Sequence, residues 1–154
     1  PGDKDELQLN GAGIRSKFFI KVYVGALYLK ETTHDASQAL RASGPKSMQM
    51  FMLYKEVEAA KITRGWDDGI SNNLDKATRA AIAERQKAFN SLFTDLKAGD
   101  RIRIDFVPGK GTSLFMNGSK LGEIEGDDFF HALLTVWLGP RPADENLKEG
   151  LLGD

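Results

Sequence analysis

The chain has no cysteine, which excludes disulfides, thiolate nucleophiles and cysteine-ligated metals and fits either redox compartment. It has only two histidines, His34 and His131, far apart and not in an HExxH pair, so a metal site would need carboxylates gathered from distant segments. No metal or cofactor is implied. No apolar stretch approaches the roughly 20 residues of a membrane-spanning helix. Charge of one sign is also scarce: the formal net charge is −1. With no basic run interleaved with aromatics, nothing favours nucleic acid as a partner. No Walker pattern and no GxSxG elbow occurs.

What remains is ordinary globular composition, 41% hydrophobic and 28% charged over 154 residues. That is enough for one domain with its own core, spanning 1–154, with the polar residues 1–5 as a frayed terminus. The first residue is Pro1 rather than Met, which suggests processing, trimming or an internal start.

Leu7 and Leu9 alternate with polar residues and suggest a short strand, and Gly11-Ala12-Gly13 reads as a tight turn. The segment 18–29 is β-branched and aromatic without proline and predicts a long strand. Both of its faces are largely apolar, so cover on both, or a pocket on one, is expected. A short helix over 34–42 with Thr33 as N-cap, a strand over 46–54 and a helical region over 56–97 follow, the last bent at Trp66-Asp67-Asp68-Gly69. Residues 100–108 alternate strictly as a strand. Residues 111–124 form a hairpin about Asn117-Gly118, whose residues suit the positive φ angles of a type I′ turn. Asp127-Asp128 open an apolar helix to Leu138, and a last short helix runs from Asp144 to Leu151. This order implies an α+β fold, an antiparallel sheet covered by helices.

Few residues bear chemistry. Asp67-Asp68 and Asp127-Asp128 have the look of helix-end or turn residues. His131, inside an apolar helix, suits a hydrogen-bonded structural role. Arg15 and Tyr23 stand out: a guanidinium and a phenol brought together over apolar side chains can hold an oxyanion such as a carboxylate or phenolate. The plainer reading, a solvated arginine beside a core tyrosine, rests on the same residues.

The segment LNGAGIRSKFFIKVYVGALYLK resembles the N-terminal β-hairpin of the chalcone isomerase superfamily. The features that match are Gly11-Ala12-Gly13-Ile14-Arg15 and the strand end Gly25-Ala26-Leu27-Tyr28-Leu29. ITRGWDDGISNNL, the strand–Asn-Gly–strand unit and FFHALLTVWLG stand in the expected order. The resemblance implies an open-faced β-sandwich with a ligand cleft between sheet and helices. In plant enzymes of that family the matching arginine stabilises a phenolate as it adds to an enone; Arg15 takes that place. Tyr23 replaces a threonine, Trp66 a tyrosine and Val136 a threonine or serine, while Asn73, next to Asn72, matches an asparagine. Lys21-Val22-Tyr23 is similar to the fatty-acid-binding branch, in which an arginine and a tyrosine hold a carboxylate. The resemblance thus implies a non-catalytic protein that binds a small amphipathic or aromatic acid, such as a fatty acid, through Arg15 and Tyr23. Trp66, Asn73 and Phe130 would line the pocket. The alternatives are a chalcone–flavanone isomerase using Arg15, and an interaction module with a closed cleft. The short bacterial branch, whose members often carry a signal peptide, implies a periplasmic or secreted location, with the cytoplasm as the other possibility.

Overall fold

A computed structural model describes residues 7–153; the terminus expected to fray, 1–5, lies outside the described residues. The elements are β1 (Gln8–Lys17), β2 (Ile20–Leu29), α1 (Ala36–Arg41), β3 (Lys46–Met52), β4 (Glu56–Val57), α2 (Ala59–Asn73), α3 (Lys76–Asn90), β5 (Leu96–Lys97), β6 (Arg101–Val107), β7 (Gly111–Met116), β8 (Ser119–Ile124), α4 (Asp127–Leu138) and α5 (Glu145–Leu151). Six strands make one antiparallel sheet in the order β1-β2-β3-β6-β7-β8, and β4 pairs with β5 in a small separate ribbon.

Alternation along the strands sorts the two faces. Tyr23, Leu27 and Leu29 of β2, Met48, Met50 and Met52 of β3, and Ile102, Ile104 and Phe106 of β6 are buried. Helices cover this face. In α4 nine of the twelve residues are buried, every one from Phe129 to Leu138 except His131, so this helix runs through the core. The opposite face stays open: Val24, Ala26, Gln49, Phe51, Arg101, Arg103 and Phe115 line a depression of about 420 Å³ on it. The expected cover on both faces of β2 is therefore realised on one, while the other lines this shallow hollow.

Three local expectations need correction. Gly11-Ala12-Gly13 is not a turn but the middle of β1. These glycines serve close approach, since a Cβ at Gly11 would stand 2.1 Å from the carbonyl oxygen of Gly150 in α5. The chain instead reverses at Phe18-Phe19, so the strand expected from residue 18 begins at Ile20. Lys17 pairs with Ile20, and both phenylalanines have positive φ, 53° and 68°. That is the same two-residue geometry that Asn117-Gly118 adopts between β7 and β8. Bulky side chains in this region cost roughly 1–2 kcal/mol each. Finally, α2 runs straight through Trp66-Asp67-Asp68-Gly69 and ends before Leu74. Gly69 is there because α4 presses close: a Cβ would lie 2.8 Å from a methyl of Val136.

Smaller shifts have simple causes. The cap of α1 is Asp35, whose carboxylate accepts the Ser37 amide, while Thr33 donates its hydroxyl to Gln38. β3 stops at Met52, where the next two amides, of Leu53 and Tyr54, both turn to the carbonyl of Val22. Among the described residues no helix is long and apolar enough to cross a membrane.

Candidate functional site

Arg15 and Tyr23 are direct cross-strand partners in the β1–β2 hairpin. The register slips just beyond them, Ser16 facing Lys21, so Val22 is the extra residue of a bulge. Gly11, Gly13 and Arg15 fall on the same face of β1 as Leu27, Gly25 and Tyr23 of β2. The glycines make a flat seat for α5. Arg15, next in line, meets the segment that leads into that helix.

That segment, residues 139–144, is a strap from α4 to α5. Arg15 Nη1 donates to the carbonyl of Ala143 at 2.7 Å, with a second, long contact to the Ser16 carbonyl at 3.5 Å. The Ala143 amide donates to the Val136 carbonyl at 2.8 Å. Asp144 caps α5, accepting the Leu147 amide at 3.0 Å, and takes the Ser16 amide at 2.9 Å. The remaining Arg15 donors, Nε and Nη2, have no described partner. A half-buried guanidinium with free donors, beside a carbonyl it holds, can receive a carboxylate in that carbonyl's place.

Tyr23 is buried, 7% exposed. Its oxygen accepts the indole N–H of Trp137 at 2.9 Å. Among the described residues nothing accepts the phenol's own hydrogen. Burial pushes its pKa up to about 12; the Trp137 hydrogen bond and the Arg15 charge pull it down, and Asp144 adds a smaller upward push. The phenol is therefore a neutral donor throughout the physiological range.

Trp66 joins the same aromatic cluster. It lies edge-on to Trp137, centroids 5.3 Å apart, and 5.7 Å from Phe93. Its indole N–H is buried without an acceptor. Tyr23 and Trp66 thus meet through Trp137, and each leaves a donor hydrogen unused.

Asn73 is placed on the strap. Its side chain donates to the Gly69 and Arg141 carbonyls, 2.7 and 2.9 Å, and accepts the Arg141 amide at 2.7 Å. Phe130 lies at the other end of the sheet, stacked on Phe106 at 5.1 Å. Phe106 pairs with Lys46, and Lys46 with Leu29, six residues or about 20 Å along β2 from Tyr23. There Phe130 lines a second depression, about 400 Å³, with Leu40, Lys46 and His131. Lys46 and His131 both contact the Leu40 carbonyl, at 3.1 Å each, and burial lowers the lysine's pKa.

Trp137, Ala143 and Asp144 were not singled out from sequence. A tryptophan in an apolar helix needs a partner for its N–H, and a phenol elsewhere in the core was the available signal. Ala143 acts through its backbone and leaves none.

The chain matches the chalcone isomerase-like family over residues 2–153. It is 23% identical, over 177 aligned residues, to Fatty-acid-binding protein 1 of Arabidopsis thaliana. That alignment takes in 96% of this chain and 63% of the relative, so the chain spans less than two thirds of the relative's length. The crystal structure of an Arabidopsis thaliana fatty-acid binding protein superposes with a TM-score of 0.77 at 18% identity, over 96% of this chain and 87% of that one. That superposition is a likeness of fold, which in this chain is a six-stranded antiparallel sheet backed by helices. With the match running almost end to end, the chain belongs to the chalcone isomerase-like family.

Proposed function

We propose that this protein binds a small amphipathic acid, a fatty acid being the natural case, with the carboxylate held by Arg15 and Tyr23. The observation that carries this reading is the set of unused donors in one aromatic corner. Among the described residues Arg15 Nε and Nη2 and the Tyr23 O–H have no acceptor, and the Trp66 N–H is buried without one. Buried donors without acceptors are costly, and a carboxylate supplies acceptors. The acid displaces the Ala143 carbonyl from Arg15, exchanging a neutral acceptor for a charged one. The tail follows the apolar side chains of Trp66, Trp137 and Phe93. The fatty-acid-binding names of the relatives support the ligand class.

The binding is non-catalytic in this reading. Where the resemblance calls for a phenol and a hydroxyl to orient substrate, Trp66 and Val136 present buried groups with neither, 4% and 2% exposed. The test is titration of a fluorescent fatty acid into the wild type and Arg15→Ala. A loss of about tenfold or more in affinity is expected, as for a hydrogen bond to a charged group. Equal affinity of the two proteins contradicts the pairing. Chalcone consumption above the buffer rate contradicts the non-catalytic part alone.

A further inference from the structure

Two phenylalanines project from the molecule where nothing in the fold asks for them. Phe18 and Phe19, at the tip of the β1–β2 hairpin, are 83% and 103% exposed, and Ile20 beside them is 48% exposed. Both phenylalanines sit in the left-handed region that this turn type demands. The same chain fills the equivalent turn between β7 and β8 with Asn117-Gly118, the residues that geometry prefers. A bulky residue in this conformation is an outlier that calls for a reason, and two in succession on the surface give no packing in return. Among the described residues the ring contact at the tip is with Lys17, whose ammonium lies 5.9 Å from the Phe18 centroid.

The surroundings say what the tip meets. Lys17 and Lys21 flank the aromatic pair, both exposed and, among the described residues, in no ion pair. Tyr54, 39% exposed, is held next to the tip's base by its amide on the Val22 carbonyl at 3.1 Å, with exposed Lys55 following it. Two carboxylates are close by: exposed Glu56, next after Lys55, and Asp144, which is turned to the Ser16 and Leu147 amides. Exposed aromatics ringed by lysines on a convex tip suit the interface of an anionic bilayer. A second copy of the chain suits them less. The two described depressions that could seat the tip carry Arg101 and Arg103, or Arg41, Lys46 and His131 with one carboxylate, Asp127. Lysines would be pressed against arginines there.

We propose that the Phe18-Phe19 tip docks this protein on anionic lipid surfaces, the two rings entering the interfacial layer and Lys17 and Lys21 engaging the headgroups. Arg15 lies three residues before Phe18, so an acid leaving the bilayer meets the guanidinium at the foot of the tip. This delivery role rests on the proposed acid binding; the docking does not.

Flotation of the full chain with vesicles tests it, using phosphatidylcholine alone and phosphatidylcholine mixed with phosphatidylglycerol. The informative variant is Phe18→Asn with Phe19→Gly, which keeps the turn and relieves its backbone. Wild type is expected to float with the anionic vesicles and to be released by salt. The Asn-Gly variant is expected to lose at least about tenfold in partitioning per ring removed, while melting no lower than wild type. Lys17→Glu with Lys21→Glu is expected to abolish the preference for anionic lipid. Wild type that floats with neither vesicle, or an Asn-Gly variant that floats equally well, overturns the proposal. So does concentration-dependent self-association in sedimentation that the Asn-Gly change removes, since the occupant is then a second copy. Fatty-acid titration without vesicles separates the two readings. Acid binding lost in Arg15→Ala with flotation intact supports both, whereas flotation without any acid binding leaves the docking standing alone.

Discussion

Trp137 donates its indole N–H to the phenol oxygen of Tyr23 across 2.9 Å, tying the central helix α4 to strand β2. Because the oxygen accepts from the indole, the phenol's hydrogen is directed elsewhere, and it meets no acceptor among the described residues. One bond thus stabilises the core and leaves the phenol's own hydrogen available to an acceptor.

Tyr23→Phe removes the acceptor and leaves the Trp137 N–H buried and unpaired. Chemical denaturation should show a loss of about 1–3 kcal/mol. Adding Trp137→Phe should cost less in the Tyr23→Phe background than in wild type, because it then removes an orphaned donor, and a double-mutant cycle measures the coupling. Additive losses would mean that the bond contributes nothing beyond packing.

The phenol also sets a pH dependence. Its pKa is 10.0 in the unfolded chain and about 12 in the fold, so the neutral form is favoured by folding. Its contribution is complete below pH 10 and is lost as pH rises from 10 towards 12, about 3 kcal/mol in all. Lys46 acts in the opposite sense, since its lowered pKa lets stability rise as pH climbs to the lysine's ordinary value of 10.5. The difference between wild type and Tyr23→Phe isolates the tyrosine. Its stability advantage should shrink across that alkaline window, and tyrosinate absorbance should show a component titrating near pH 12 that Tyr23→Phe removes.

Gly11→Ala puts a methyl against the Gly150 carbonyl at 2.1 Å, with backbone on both sides of the contact. Neither side can yield without lifting α5 from β1. Thermal unfolding should show a loss of about 3 kcal/mol, at the upper end for an overpacked site. A melting temperature within a degree or so of wild type would contradict the seating of α5.

Asn73→Ala unties the strap at Arg141, where the side chain makes two of its three bonds. Stability should fall by about 1–3 kcal/mol. If the strap must move for an acid to reach Arg15, stopped-flow association of a fluorescent fatty acid should become faster in this variant. An association rate unchanged by the substitution places the entry route elsewhere.

Most of the architecture was legible from periodicity and turn chemistry. Asn117-Gly118 marked its hairpin because those residues favour the geometry. The alternation in 100–108 named a one-faced strand, and the mostly apolar run after Asp127-Asp128 named a helix. The first hairpin was misread for the converse reason. Its turn is made of phenylalanines, which signal strand, and its strand holds glycines, which signal turn. The glycines answer to α5, 139 residues away at Gly150, a contact no local pattern carries. At the site, Arg15 and Tyr23 were visible as chemistry and fall in register as partners. What covers them was not visible, since Ala143 engages through its carbonyl and the strap's course depends on the tertiary fold.

The most direct test of acid binding at Arg15 is nuclear magnetic resonance of a fatty acid labelled at its carboxyl carbon, titrated with pH on the protein. Held by the Arg15 guanidinium and the Tyr23 phenol, the bound carboxylate should stay ionised well below the ordinary carboxylic pKa. In Arg15→Ala that depression should vanish. A bound resonance that titrates identically in both proteins, or no bound resonance in wild type, would contradict the account.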